Sequence, residues 1–312
     1  MALDSAAQAL GSERPLGQVC PINGGKTGTK IFCVHPADGG VRSYLELAQV
    51  LEADADVYGV SAYDLAGKKP FPPSVNAAAQ GYANEIQREQ PKGPYVLVGY
   101  SLGGHFAFEI ARELTRRGEA VADLFIIDSH AAPVRGAATL FQMAHSNASP
   151  PLRLRTPSLA LWTFFIIMHT GLKIPQVPKE FWSSSDDEKC EFLLRNCRDA
   201  RFFLEHNEMC RARTTDDIRY MFDVLNDQCD AVWNWERKCY SGPIHYIKCV
   251  NKNSEEVRDI ADRTVLSFWR ELTSSDVNVT WLQGRHDAAL SDPAVHVVAG
   301  LIRDRLKKRN ST

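Results

Sequence analysis

No apolar run in this sequence reaches the roughly 18 residues that a membrane-spanning helix needs. The strongest candidate, Leu159–Met168, is too short. The first residues also lack the basic start and the apolar centre of a secretory signal. From these two absences we expect a cytoplasmic protein that has no membrane partner.

An excess of one charge sign is missing as well. The 312 residues include 36 Lys and Arg against 38 Asp and Glu, which gives a formal net charge of −2. Because no basic stripe is present, a nucleic-acid partner is not expected. The eight cysteines form no CxxC pair and no Cys/His spacing that is typical of zinc. We therefore predict free buried thiols and no metal site.

What the sequence does contain is an alternation of strand and helix patterns. Short apolar runs rich in β-branched and aromatic residues predict strands, and apolar residues at helical spacing predict helices. Strands are predicted at 30–36, 55–63, 94–100, 122–129, 244–250 and 277–283, and helices at 41–53, 74–90, 103–118, 256–273 and 292–309. This order predicts the α/β class, with a mostly parallel, doubly wound sheet covered by helices on both faces.

The alternation is interrupted between its fourth and fifth strands. Residues 134–240 show amphipathic helical patterns without clear strands, which predicts an inserted helical lid subdomain. The core is then formed by 28–133 and 241–312, and residues 1–27 are interpreted as a leader or linker. The insertion is rich in aromatic residues, which either pack the lid helices on the core or line a pocket that excludes water.

One turn between a predicted strand and a predicted helix carries a serine between glycines, Gly99-Tyr100-Ser101-Leu102-Gly103. In this context, G-x-S-x-G is typical of a nucleophile. The glycines leave room for a sharp turn, and the positive end of the helix favours negative charge that develops at the serine. We predict Ser101 as the nucleophile and Gly99 and Gly103 as the elbow glycines. The alternative is an idle serine in a glycine-rich turn.

A serine hydroxyl needs a base and an acid to become a nucleophile. His286 lies in the loop between the last predicted strand and the final helix, so it is the predicted base. Asp128 ends a predicted strand 27 positions after Ser101 and is the predicted acid. The end of the next core strand offers no carboxylate before Glu255.

Two backbone N–H groups are predicted to form an oxyanion hole for the tetrahedral intermediate. One belongs to Leu102, which follows the nucleophile, and the other to Ala37 in the loop after the first core strand. Gly39 and Gly40 allow that loop to approach closely. Three further histidines lie at strand ends or in the elbow, where they either line the site or have a structural role: His35, His105 and His130.

Three segments resemble the thioesterase domains that release products from nonribosomal peptide and polyketide synthases, within the α/β-hydrolase fold. They are "IFCVHPADGG", "GPYVLVGYSLGGHFAFEIARELTRRGEAVADLFIIDS" and "GRHDAALSDPAV". The resemblance implies that Ser101 is acylated by a chain delivered on the phosphopantetheine of an acyl or peptidyl carrier protein. Asp128 and His286 would complete the triad, and water or an internal amine or hydroxyl would release the chain as an acid, an ester or a macrocycle. No cofactor is expected to bind the chain itself.

Three other functions stay open at this point. A stand-alone editing thioesterase and a carboxylesterase or lipase share this fold. The loop "HPADGG" argues mildly against an esterase, since many esterases carry an HGGG-type loop there. A non-catalytic scaffold that binds small molecules or proteins is the remaining alternative, and the presence of Ser101, Asp128 and His286 argues against it.

Overall fold

The computed structural model describes residues 19–24, 27–64, 67–130, 162–163, 165–166, 174–199, 214–251 and 254–310. Its centre is a seven-stranded sheet in the order β1-β3-β2-β4-β5-β6-β7. The strands are β1 Val19–Pro21, β2 Lys30–Val34, β3 Asp56–Val60, β4 Tyr95–Tyr100, β5 Val121–Ile127, β6 Ile244–Val250 and β7 Val277–Gln283. Strand β1 runs antiparallel to β3, and the other five pairs are parallel. The predicted fold class is confirmed.

Helices cover both faces of this sheet. They are α1 Leu45–Val50, α2 Val75–Glu89, α3 Gly103–Arg116, α4 Asp186–Asp199, α5 Thr215–Trp233, α6 Glu255–Ala261, α7 Ser267–Glu271 and α8 Ala294–Asn310. A π-helical turn, Asp262–Leu266, joins α6 to α7. Within the described ranges, no helix combines the length and the apolar character that crossing a membrane requires.

Two hydrophobic clusters lie on opposite faces of the sheet because side chains alternate along each strand. In β2, Phe32 and Val34 join the cluster that includes α2 and α3. Ile31 and Cys33 join the other cluster, which includes α1 and α8. The continuous apolar runs of the central strands follow from this burial on both sides.

The helix ends that the sequence predicts follow from local chemistry. Ser74 precedes α2, and its hydroxyl accepts a hydrogen bond from the Ala77 N–H at 3.2 Å. Gly118 follows α3 with a φ of +83°, a conformation that side chains disfavour. These signals lie within a few residues of each helix end, so they are readable without the tertiary structure.

Strand β1 was not expected from the sequence pattern. It lies within residues 1–27, which the sequence predicts to be a leader or linker, and Val19–Pro21 of that segment takes part in the central sheet. Val19 pairs with Val60, and Pro21 pairs with Tyr58 at the edge of the sheet. Three residues ending in proline carry no periodic signal, and proline is tolerated there because an edge strand leaves some N–H positions unpaired.

The described parts of the predicted lid, residues 134–240, include α4, α5 and two short 3-10 turns, Ile174–Gln176 and Lys179–Ser183. Helix α5 begins with a capping box, in which the Thr214 hydroxyl accepts from the Asp217 N–H and the Asp217 carboxylate accepts from the Thr214 N–H. Most of the apolar stretch 159–168 lies outside the described residues. The boundaries of leader, core and lid stay predictions.

Candidate active site

Ser101 stands on a sharp turn between β4 and α3. Its φ is +55°, in the left-handed region that costs a residue with a side chain about 1 kcal/mol or more. The surrounding backbone holds it there. The Ser101 N–H donates to the Ile127 carbonyl at 2.9 Å, and the Ser129 hydroxyl donates to the Ser101 carbonyl at 2.6 Å.

The two elbow glycines are needed for close packing around this turn. A Cβ at Gly99 would collide with the carbonyl oxygen of Gly103. A Cβ at Gly103 would collide with the carbonyl oxygens of Val34 and His35 at the end of β2. The start of α3 therefore packs directly against the loop that follows β2, residues 35–41, called the β2 loop below.

The structure brings together the three side chains that the sequence predicts as a triad. Ser101 Oγ lies 3.0 Å from Nε2 of His286, although the two residues are 185 positions apart in the chain. His286 Nδ1 lies 2.8 Å from Asp128 Oδ2. When the Nδ1–H donates to the carboxylate, Nε2 is left to accept from the serine hydroxyl. This is the arrangement that a serine nucleophile requires.

Asp128 follows β5 with a φ of +46° and is only 3% exposed. Its Oδ1 accepts from the Cys249 N–H at 3.2 Å and from the ammonium of Lys248. Burial raises the pKa of the Asp128 carboxyl, but the hydrogen bond from His286 and the charge of Lys248 outweigh burial and lower the pKa to about 2. The carboxylate is thus ionised at neutral pH.

Two residues that support the triad were missed by the sequence reasoning. The Tyr100 hydroxyl donates to the His286 carbonyl at 2.7 Å, and the two rings stack with centroids 5.0 Å apart. Lys248 is the other, since its ammonium contacts Asp128. A signal for it existed, because a lysine within the otherwise mostly apolar strand β6 is unusual.

The predicted oxyanion donors lie in buried backbone. Ala37 and Leu102 are each 6% exposed. None of the described residues accepts a hydrogen bond from the N–H of either one. The β2 loop is held in place at Gly39, whose φ is +75° and whose carbonyl accepts from the Ala62 N–H at 2.8 Å. Both N–H groups are therefore available to an oxyanion, and their role stays a prediction.

Of the three further histidines that the sequence places near the site, two have a structural role and one lies beside the triad. His35 is fully buried, with Nε2 2.8 Å from the Tyr82 hydroxyl, and His105 is buried against the Trp235 and Trp269 rings. Burial lowers the pKa of both to about 4, so they are neutral at pH 7. His130 flanks the triad instead, with its ring centroid 5.7 Å from that of His286.

Part of the sequence is similar to a known family of domains. Residues 29–150 match the family model of the thioesterase domain. A dimodular nonribosomal peptide synthase of Bacillus subtilis (strain 168) is 33% identical over 119 residues, which are 38% of this chain and 5% of that protein. Malpibaldin synthetase of Mortierella alpina is 42% identical over 101 residues, 32% of this chain and 2% of that protein.

One further relative is named as inactive. The inactive atromentin synthetase invA6 of Paxillus involutus is 33% identical over 126 residues, 40% of this chain and 13% of that protein. Across these three relatives, the matched segment spans only 2–13% of the full length. Activities of the whole relatives therefore do not transfer to this chain by similarity alone.

Solved structures extend the similarity over almost the whole chain. The four-domain nonribosomal peptide synthetase holo-AB3403 is 21% identical with a TM-score of 0.69, covering 97% of this chain and 21% of that one. The wild-type Vlm2 thioesterase domain is 23% identical with a TM-score of 0.59, covering 92% of this chain and 96% of that one. The family match over residues 29–150 and the shared fold confirm the resemblance to the α/β-hydrolase thioesterase domains of nonribosomal peptide and polyketide synthases.

Proposed function

We propose that this chain is a serine thioesterase that releases an acyl or peptidyl chain from the phosphopantetheine thioester of a carrier protein. The observation that carries the proposal is the hydrogen-bonded series Ser101–His286–Asp128. Ser101 and Asp128 lie within the segment 29–150 that matches the thioesterase domain family, and His286 lies beyond it. The chain itself would need no bound metal or cofactor, because the proposed chemistry uses only side chains and backbone N–H groups.

Acylation begins when Ser101 Oγ attacks the thioester carbonyl carbon and His286 Nε2 accepts the hydroxyl proton. The negative charge on the carbonyl oxygen is held by the N–H groups of Ala37 and Leu102. The intermediate collapses with cleavage of the carbon–sulfur bond. The proton on His286 passes to the pantetheine sulfur, which leaves as a thiol, and Ser101 carries the chain as an ester.

Release reverses the same steps with a second nucleophile. His286 Nε2 accepts a proton from water or from an amine or hydroxyl of the bound chain, and that atom attacks the ester carbonyl. The bond to Ser101 Oγ breaks and the serine regains its proton from His286. Water gives an acid, and an internal nucleophile gives a macrocycle. The ionised Asp128 stabilises the imidazolium in both halves of the reaction.

The first test is labelling with a small fluorophosphonate, measured by intact-protein mass. A fluorophosphonate nocardicin G analog forms a covalent complex with the NocB thioesterase domain, which is 19% identical and has a TM-score of 0.54. We expect one adduct on the wild type and none on Ser101→Ala. Ser275→Ala removes an exposed serine and serves as the control that keeps the adduct. Turnover of Ser101→Ala should fall by a factor on the order of 10⁶.

The same preparation distinguishes the remaining functions. Faster turnover of acyl-pantetheine thioesters than of matched oxygen esters supports the thioesterase, and the opposite preference supports a carboxylesterase. A Ser101→Ala variant with wild-type turnover would contradict the proposed mechanism. Folded wild-type protein without an adduct would favour a non-catalytic scaffold.

A further inference from the structure

We propose that Gln228 of helix α5 is a positioning residue that holds the β2 loop in its catalytic conformation. The packing of this lid helix against the core would then affect the rate of acylation. This inference rests on the proposed function. Gln228 touches neither Ser101 nor His286 among its described contacts. It acts through Ala37, whose carbonyl accepts a hydrogen bond from the Gln228 side-chain amide.

The contact joins two distant parts of the chain at a buried point. Gln228 and Ala37 are 191 positions apart, and the Gln228 side chain is fully buried. A hydrogen bond to the Ala37 carbonyl fixes the plane of the peptide between Ala37 and Asp38. Because the neighbouring N–H of Ala37 is the predicted oxyanion donor, a rotation in this part of the backbone would turn that donor away.

The core holds the same loop from the other side. The Tyr63 hydroxyl donates to the Asp38 carbonyl, and the Ser61 hydroxyl donates to the Gly39 carbonyl at 3.3 Å. The start of the loop is held by β3, whose Val60 carbonyl accepts from the His35 N–H at 2.9 Å, and by the Gly39 N–H, which donates to the Pro36 carbonyl at 3.0 Å. The carbonyl between these contacts, that of Ala37, is held by Gln228. Helix α5 therefore fixes the peptide that directly follows the proposed oxyanion donor.

The side-chain oxygen of Gln228 argues against a purely structural role. Its Oε1 is buried, and no described residue donates a hydrogen bond to it. A buried amide oxygen without a partner is unfavourable, so an apolar side chain would suit simple packing better at this place. The donor half of the amide explains why a glutamine is present.

A second contact of α5 provides a matched control. The Tyr220 hydroxyl accepts a hydrogen bond from the Asp64 N–H at 3.0 Å, which attaches the same helix to the loop after β3. Tyr220→Phe removes this attachment and leaves the β2 loop untouched. A general loosening of α5 would therefore appear in Tyr220→Phe, whereas an effect on the oxyanion donor would appear only at Gln228.

The experiment compares the full-length wild type with Gln228→Met, Gln228→Glu and Tyr220→Phe. For each we would measure the fluorophosphonate labelling rate, kcat and KM for an acyl-pantetheine thioester, and the Tm. Removing an oxyanion donor outright costs about 10²–10³ in kcat, so loss of its support should cost less. We expect Gln228→Met to lower kcat and the labelling rate about 10- to 100-fold, with KM within about 3-fold. Tyr220→Phe should keep the wild-type kcat.

The pH dependence of the Gln228→Glu rate tests the hydrogen bond itself, because a role in packing alone would not change with pH. An ionised glutamate cannot donate to the Ala37 carbonyl, and a protonated one can. The rate of Gln228→Glu relative to the wild type should therefore rise as the pH falls from 7.5 to 5.5, whereas the relative rate of Gln228→Met should stay constant. This comparison also tests the inference if Gln228→Met does not fold.

If the wild type is labelled, either of two results would overturn this inference without affecting the proposed function. One is wild-type kcat in folded Gln228→Met together with a flat relative rate for Gln228→Glu. The other is an equal loss of kcat in Tyr220→Phe, which would assign the effect to lid seating in general. A folded wild type that does not label would instead reject the proposed function, and the inference with it.

Discussion

At Asp128, the two carboxylate oxygens contact two different basic side chains. Oδ2 lies against His286, and Oδ1 accepts from Lys248, whose side chain is 15% exposed. The ammonium helps to hold the carboxylate ionised and in place. It also offsets part of the negative charge that stabilises the protonated form of His286, because opposite charges at this separation interact strongly in a buried site.

Replacing Lys248 should therefore weaken the hold on the Asp128 carboxylate and slow acylation. Lys248→Met removes the ammonium that contacts Oδ1 and leaves the Cys249 N–H as the described donor to that oxygen. We expect the fluorophosphonate labelling rate at neutral pH to fall, because the carboxylate that orients His286 is held less firmly. Lys30→Met removes the ion pair with Glu89 elsewhere and should keep the wild-type rate. A wild-type labelling rate in folded Lys248→Met would contradict this account.

Among the helices, α3 has the most constrained start. Its first turn lies against the end of β2, and Gly103 is the point of contact with the Val34 and His35 carbonyls. This contact places the serine turn beside the β2 loop, so the nucleophile and both proposed oxyanion donors share one junction. Packing at a single glycine therefore influences both the stability of the fold and the geometry of the site.

Gly103→Ala should lower both stability and labelling. The added Cβ meets backbone that cannot move aside easily, and overpacking of this kind costs about 1–3 kcal/mol of unfolding free energy. The matched control is Gly81→Ala in α2, where an added Cβ meets nothing within 4 Å. That variant should gain about 0.5–1 kcal/mol from helix propensity. Urea unfolding and the labelling rate of both variants would check this, and a neutral Gly103→Ala would refute the packing argument.

Across the whole molecule, buried histidines make stability depend on pH. Burial lowers the pKa of His35, His105 and His130 from 6.5 to about 4 in the folded chain. Between pH 6.5 and 4 the unfolded chain takes up these protons and the folded chain does not, so acid destabilises the fold. Asp38 has the opposite effect and offsets about one histidine. Burial raises the pKa of its carboxyl to about 6, so the folded chain takes up that proton at a higher pH than the unfolded chain does.

The free energy of unfolding should thus fall as the pH drops from about 6.5 to about 4. Each buried histidine contributes a slope of about 1.4 kcal/mol per pH unit. His105→Phe removes one buried histidine, so its slope should be smaller than the wild-type slope by about one such contribution. The aromatic surroundings of His105 should accept a phenyl ring, which allows the variant to fold. Ser275→Ala alters an exposed side chain that does not ionise in this range and should keep the wild-type slope. Urea unfolding at pH 8, 6, 5 and 4.5 measures this, and equal slopes in all three proteins would count against it.

Much of the core was predictable because its signals are local. The apolar runs of β2, β4 and β5 predict strands buried on both faces, and the glycines around Ser101 mark the elbow from sequence alone. Strand β1 carries no such pattern, since its order comes from pairing with β3. Lys248 and Gln228 were missed because the partner that explains each polar side chain lies more than 100 positions away.

The sequence by itself determined the order of strands and helices, the position of the serine turn and the residues able to serve as base and acid. Hydrophobic spacing and glycine sterics act over a few residues, and that is why they can be read directly. Only the tertiary structure decided that His286 reaches both Ser101 and Asp128, and that an ammonium from β6 and an amide from α5 hold the surrounding groups. Those contacts depend on where distant segments cross, which the packing of the whole sheet and its helices sets.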